Sequence, residues 1–147
     1  MKVYLDNNAT TKVDEKVLEE MIPYFSENYG NPSSVHRFGQ KSRQAIEEAR
    51  EKIAKLLNIK TDELTFTGSG TESDNLAIRG VAGAYRDKGN HIITSKIEHP
   101  AVLTTCKKLE EEGYEITYLS VDEQGMIDLE ELKNSIKETT ILISIMH

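Results

Sequence analysis

The sequence predicts an α/β fold of three layers, in which a mainly parallel sheet is flanked by helices. Strand and helix patterns alternate from residue 64 onward, and crossovers of that length join parallel strands. Residues 91–94 and 141–145 are apolar and rich in β-branched side chains, which is typical of strands covered on both faces. The 147 residues suit one compact domain.

The first part of the chain is predicted to be mainly helical. Residues 2–11 are typical of a short strand followed by a loop rich in Asn and Thr. Apolar side chains at helical spacing indicate a helix from Asp14 to about Ser26, with Asp14 as its N-cap. The Gly, Asn and Pro of residues 29–34 predict a loop. A long amphipathic helix is expected from about Phe38 to Leu57.

The second part is predicted to alternate between strands and helices. Strands are expected at 64–67, 91–95, 115–121 and 140–146, with helices at about 71–87, 100–112 and 128–137. In such a sheet, ligands bind at the carboxyl ends of the strands. The turn 68–71, Glu98 with His99, and Met146 with His147 follow three of these strands. We therefore expect these segments to converge on one edge of the sheet.

The turn that begins at Gly68 has the composition of a helix N-terminus that binds phosphate. Its glycines allow close approach of the backbone, and the first N–H groups of a helix point outward with partial positive charge. No Lys follows Gly70 and a third glycine is absent, which disfavours a nucleotide-binding α/β domain. Ser69 and Glu72 also fit a capping box, a purely structural interpretation that can coexist with a phosphate site.

Composition excludes several classes of function. The net charge of −7, from 18 basic and 25 acidic residues, argues against a nucleic-acid partner. The longest apolar run is too short to span a bilayer, and an acidic residue follows Met1 too early for a signal peptide. A single cysteine fits a reducing cytoplasm. We expect a cytoplasmic protein with no membrane, nucleic-acid or metal partner.

Five stretches together resemble the N-terminal part of a cysteine desulfurase, a class V aminotransferase with the type I pyridoxal 5'-phosphate (PLP) fold. They stand in family order and are YLDNNATT (4–11), YGNPSS (29–34), FTGSGTESDN (66–75), IITSKIEH (92–99) and SIMH (144–147). The resemblance implies an N-terminal strand and loop segment at 1–13 and an incomplete PLP-binding large domain at 14–147.

The resemblance also implies the main site residues. Gly70 and Thr71 match the positions that hold the cofactor phosphate, and backbone N–H groups with a short hydroxyl suit a dianion. His99 matches the histidine that stacks on the pyridine ring and assists proton transfer, so it is the implied catalytic residue. From the local pattern alone, a cap or a satisfied loop histidine is the favoured interpretation of His99.

Weaker candidates lie nearer the N-terminus. Asn7, Asn8 and Thr10 match a loop near the family's substrate entrance, although a turn stabilised by Asn side chains explains them equally well. The loop 31–36 resembles one that shapes the pocket or the dimer interface, and a structural interpretation is favoured for it. His36 is a weak pocket candidate.

The implied reaction converts L-cysteine to L-alanine and leaves a persulfide for iron–sulfur cluster assembly or another sulfur acceptor or scaffold protein. The family's Schiff-base lysine and persulfide cysteine lie further downstream, so Lys96 is expected to be an ordinary solvated lysine and Cys106 a packed thiol. The 147-residue piece alone is therefore expected to be inactive, and the full-length protein to be a homodimer. An apolar strand at the very end of the chain suggests a truncated or separately made piece.

Two alternatives remain open from the sequence. The chain could be a stand-alone truncated module that pairs with a partner chain or regulates assembly. It could also belong to another class V aminotransferase, such as a selenocysteine lyase.

Overall fold

The computed structural model describes all residues from 1 to 147. The chain divides into two compact units, Met1–Thr65 and Phe66–His147. Residues 1–13 fall in the first unit, and the segment boundary expected after residue 13 stays a prediction. None of the helices combines the length and the apolar character needed to cross a membrane.

The first unit is helical. It contains α1 (Glu15–Met21), α2 (Pro23–Ser26), α3 (Arg37–Leu57) and a short 3₁₀ turn at Thr61–Glu63. The single helix expected at 14–26 is interrupted because Pro23 begins α2, and a proline has no N–H to continue the preceding helix. The strand expected within residues 2–11 is wrong, since no strand is present in this unit to pair with it.

The start of α3 is packed closely against the preceding loop. His36 is the N-cap of α3, and its Nδ1 accepts a hydrogen bond from the Gly39 N–H at 3.4 Å. A Cβ on Gly39 would lie 2.4 Å from the carbonyl oxygens of Asn31 and Ser34. Glycine is therefore required where the loop crosses the helix.

The second unit is a parallel α/β structure. Its elements are α4 (Gly70–Ala84), β1 (His91–Ser95), α5 (Pro100–Glu111), β2 (Glu115–Leu119), α6 (Leu129–Ser135) and β3 (Thr140–Ser144). The sheet has the order β2-β1-β3 and both pairings are parallel. The predicted parallel sheet with flanking helices is confirmed, but the strand expected at 64–67 is wrong, because that segment enters α4 without pairing.

The core of the second unit lies between β1 and the pair α4 and α5. All five residues of β1 are buried, and Ile92 belongs to a cluster with Ile78, Val102 and Cys106. Burying a large aliphatic side chain contributes about 1.5–3 kcal/mol. This packing fixes the two helices on the sheet.

His91 connects all three strands of the sheet. Its side chain is fully buried; Nδ1 lies 2.7 Å from the hydroxyl of Thr140 on β3, and Nε2 lies 2.8 Å from the hydroxyl of Thr117 on β2. Between His91 and Ile92 the pairing with β3 shifts by one residue. Burial lowers the pKa of His91, Lys137 lowers it further, and Glu115 opposes this shift.

Candidate functional site

The N-terminus of α4 is held by a capping box. Ser69 Oγ accepts the Glu72 N–H at 3.2 Å, and the Glu72 carboxylate accepts the Gly68 N–H at 2.7 Å. The carboxylate therefore bonds to the residue before the cap rather than to the cap's own N–H. The N–H groups of Gly70 and Thr71 belong to the first turn, where a helix offers no internal acceptor.

The Cβ position of Gly70 faces open space. A Cβ built on Gly70 meets no atom within 4 Å, so an alanine would also fit there. Thr67 closes the other side of the turn, because its hydroxyl lies 2.6 Å from Ser73 Oγ and 3.1 Å from the Ser69 carbonyl oxygen. The turn is thus internally braced while its first N–H groups face outward.

His99 is the N-cap of α5. Its Nδ1 accepts the Ala101 N–H at 3.1 Å, and Pro100 at the first helical position needs no acceptor because it has no N–H. In the neutral ring this hydrogen bond assigns the proton to Nε2. The side chain itself is exposed, so the ring face and Nε2 are accessible.

The N-terminal parts of α4 and α5 line the same cavity, which has a volume of about 470 Å³. It is lined by Thr71 and Asn75 from α4 and by His99, Ala101 and Thr105 from α5. Its volume lies within the range of small-ligand sites. Of the three principal predicted residues, Thr71 and His99 line this cavity, whereas Gly70 lies directly before Thr71 and does not line it.

Side-chain hydrogen bonds join the two helices inside the cavity. Asn75 Nδ2 donates to the Thr71 carbonyl oxygen at 2.9 Å, and Thr105 Oγ1 donates to Asn75 Oδ1 at 2.8 Å. The sequence analysis assigned no function to Asn75 or Thr105. The available signal was their spacing, since each lies four residues after another cavity residue, Thr71 or Ala101, on one helix face.

Glu98 is a buried carboxylate next to His99 that the sequence analysis also left without a function. Its Oε1 accepts hydrogen bonds from Ser95 Oγ at 2.9 Å and from the Met146 N–H at 2.6 Å. The loop between β1 and α5, which carries His99, is thereby attached to the segment that follows β3.

The weaker candidates lie in the first unit. Asn7, Asn8 and Thr10 are exposed, and they belong to a turn in which the N–H groups of Ala9 and Thr10 donate to the Asp6 carbonyl oxygen at 3.2 and 3.4 Å. A substrate contact for these three residues stays a prediction.

Lys96 and Cys106 have the environments expected for them. Lys96 is exposed and its Nζ donates to Ser120 Oγ at 2.9 Å. Cys106 is fully buried, and burial, assisted by Glu110 and Glu98, raises the pKa of its thiol to about 11. A protonated, buried thiol is a poor nucleophile.

The fold is that of an α/β protein with a cavity at the N-termini of two neighbouring helices. The sequence profile of the class-V aminotransferases matches residues 3–147. The chain therefore belongs to the class V aminotransferase family.

Known relatives are cysteine desulfurases. The chain is 58% identical over 146 residues to cysteine desulfurase IscS of Dictyoglomus turgidum, covering 99% of this chain and 37% of the relative. It is 57% identical to cysteine desulfurase IscS of Methanosarcina thermophila, covering 98% of this chain and 36% of that relative. The chain thus spans a little over a third of the length of the curated relatives it matches.

Two solved structures resemble this chain over nearly its whole length. A NifS-like protein superposes with a TM-score of 0.93 at 47% identity, covering 99% of this chain and 40% of the other. SspA in complex with cysteine superposes with a TM-score of 0.85 at 42% identity, covering 93% of this chain and 40% of the other.

Proposed function

We propose that this chain is the phosphate-binding N-terminal part of a PLP-dependent cysteine desulfurase. The whole enzyme would convert L-cysteine to L-alanine and pass the sulfur, as a persulfide, to iron–sulfur cluster assembly or another sulfur acceptor. The observation that carries the proposal is that Thr71 and His99 line the same cavity. The names of the relatives support the desulfurase activity.

The residues present fit a phosphorylated pyridine. The capping box uses the Gly68 and Glu72 N–H groups, which leaves the first-turn donors of Gly70 and Thr71 and the Thr71 hydroxyl for a phosphate. Thr71 lines the cavity, and no atom lies within 4 Å of the Cβ position of Gly70. The donor set and the shape of the turn therefore both suit a dianion.

His99 would cover the ring and handle protons. Its Nδ1 is engaged by the Ala101 N–H, so the ring plane is oriented by the start of α5, and Nε2 is the atom that can hold or release a proton. PLP, when bound, supplies the electron sink for the chemistry at the substrate carbon. The protein's contribution here is to bind the phosphate, orient the ring and place the imidazole.

The 147 residues alone are proposed to be inactive. Lys96 is bonded to Ser120 and is exposed, and the Cys106 thiol is buried and protonated at neutral pH. Neither fits the cofactor lysine or the sulfur-accepting cysteine of the reaction. Location in the cytoplasm, homodimer formation and a sulfur-acceptor partner belong to the same proposal for the whole enzyme.

Binding of pyridoxine 5'-phosphate to the purified chain tests this proposal, because that ligand has no aldehyde and cannot react with surface lysines. Calorimetric titration should give measurable affinity for pyridoxine 5'-phosphate and weaker affinity for inorganic phosphate and for pyridoxine. Thr71→Val should weaken the binding of pyridoxine 5'-phosphate and of inorganic phosphate. If the chain binds pyridoxine as well as its phosphate ester, the phosphate assignment is wrong.

Two variants at His99 test the function of its ring independently of its function as the N-cap of α5. His99→Asn keeps an acceptor for the Ala101 N–H, since asparagine is a good N-cap, but it removes the ring. His99→Phe keeps a flat ring and removes the cap. We expect His99→Asn to lose most of the preference for pyridoxine 5'-phosphate over inorganic phosphate and His99→Phe to keep much of it. The reverse order would contradict a stacking function.

A further inference from the structure

A series of close polar contacts lies between the α4 turn and the His99 imidazole. Asn75 Nδ2 donates to the Thr71 carbonyl oxygen at 2.9 Å. Thr105 Oγ1 lies 2.8 Å from Asn75 Oδ1 and 2.7 Å from the Ala101 carbonyl oxygen. The Ala101 N–H in turn donates to His99 Nδ1 at 3.1 Å. All five residues line the same cavity.

The orientation of the Asn75 amide is fixed by its partners. A carbonyl oxygen can only accept, so the amide nitrogen must face Thr71, and the amide oxygen must face Thr105. The Thr105 hydroxyl has one proton and two acceptors, and bonding to the carbonyl four residues earlier is its ordinary state in a helix. The one proton of this hydroxyl therefore serves two acceptors, Asn75 Oδ1 on α4 and the Ala101 carbonyl oxygen on α5.

The apolar cluster that includes Ile78, Val102 and Cys106 holds α4 and α5 on the sheet, and the polar contacts between the two helices differ in their exposure. Arg79 on α4 pairs with Glu112 just after α5 at 3.0 Å, but both side chains are well exposed, and exposed ion pairs contribute little. Thr105, by contrast, is only 4% exposed. Its hydrogen bond with Asn75 is part-buried, and water can replace such a bond less readily than an exposed ion pair.

We propose that Asn75 and Thr105 are positioning residues that set the spacing between the α4 turn and the His99 ring. That spacing would match the distance between the phosphate and the pyridine ring of the ligand. The inference rests on the proposed function for the identity of the ligand. It adds that selectivity for a phosphate joined to a ring is determined by a polar contact between the two helices.

Thr105→Val tests the proposal, since valine keeps the shape of threonine and removes the hydroxyl. Thr105→Ser, which keeps the hydroxyl, is the rescue variant. Thr139→Val is the matched control, because Thr139 is exposed and does not line the cavity. Circular dichroism and thermal unfolding of each full-chain variant verify that it is folded.

The affinity for pyridoxine 5'-phosphate should fall about fivefold in Thr105→Val, the equivalent of one hydrogen bond. Inorganic phosphate needs only the α4 turn, so its affinity should stay unchanged. Thr105→Ser and Thr139→Val should bind like the wild type. Equal losses for both ligands, or no loss in Thr105→Val, would overturn the inference.

A measurement without ligand keeps the inference separate from the proposed function. The ¹⁵N and ¹H resonances of the His99 ring and the hydrogen exchange of the Ala101 amide should change in Thr105→Val and be restored in Thr105→Ser. Wild-type resonances in Thr105→Val would refute the positioning function. Absence of all phosphate binding by the wild type, with these changes present, would refute the proposed function instead.

Discussion

Replacing Glu98 by alanine should detach the His99 loop from the segment after β3. Both hydrogen bonds of the carboxylate go to one oxygen, from Ser95 Oγ at 2.9 Å and from the Met146 N–H at 2.6 Å. Glu98 is only 6% exposed, so the alanine variant would leave these two donors without their partner.

The expected cost follows from the burial of the two donors. A hydrogen bond to a charged acceptor contributes about 1.5–3 kcal/mol, and an unsatisfied buried donor costs a similar amount. Ser95 is 1% exposed, so its hydroxyl bears the larger loss, whereas Met146 is 49% exposed and its N–H can turn to water. We expect the second unit to lose about 3 kcal/mol, because the two bonds share one oxygen and do not add fully.

Hydrogen exchange of the β1 amides reports the stability of the second unit, and exchange of the Met146 amide reports the attachment itself. Glu98→Gln is the control, since its amide oxygen can still accept both bonds and it should lose about 1 kcal/mol or less. If Met146 exchanges in Glu98→Ala at the wild-type rate, the proposed attachment is not formed in solution.

Four further outcomes are expected. Cys106 is the one cysteine of the chain, and with its pKa raised to about 11 it should react with Ellman's reagent only after urea unfolding; fast labelling of the folded chain would contradict its burial. The pKa of His91 is lowered in the folded chain, so the unfolded chain binds a proton more readily at this residue. The free energy of unfolding should therefore fall as the pH drops below about 6.5. If His91→Gln shows the same dependence of stability on pH, this expectation is wrong. Gly39→Ala should destabilise the first unit by about 1–3 kcal/mol, because its Cβ would lie 2.4 Å from two carbonyl oxygens. Gly80→Ala, whose Cβ meets nothing within 4 Å inside α4, should stabilise the second unit by about 0.5–1 kcal/mol; equal unfolding midpoints for these two glycine variants would contradict the packing.

Local signals predicted most of the second unit. The helix from Pro100 and the strand at His91 have clear boundaries, because a proline at the first turn and a β-branched run act over a few residues. The segments 2–11 and 64–67 were expected to be strands and are not, since a strand is defined by its partner as well as by its composition. Pro23 divides a helix that the apolar spacing alone predicted as one.

Topology accounts for part of the candidate site. His99 follows β1, as expected if ligands bind at the carboxyl ends of parallel strands, but the α4 turn follows a segment that is not a strand, so this rule does not explain why the two lie beside one cavity. The contact between Glu98 and Met146 was not predictable, because the two residues are 48 positions apart. The bond between Asn75 and Thr105 depends on how two helices pack side by side, which no local pattern specifies.

The imidazole of His91 couples the register of β2 with the register of β3, because both strands pair with β1. A hydroxyl on each neighbouring strand must meet one ring nitrogen, so sliding either strand along β1 would leave a buried nitrogen unpaired. The extra residue at the start of β3 places Thr140 directly opposite His91. Changes at Thr117, Thr140 and His91 should therefore be energetically coupled, and anyone redesigning this sheet should exchange the three side chains together.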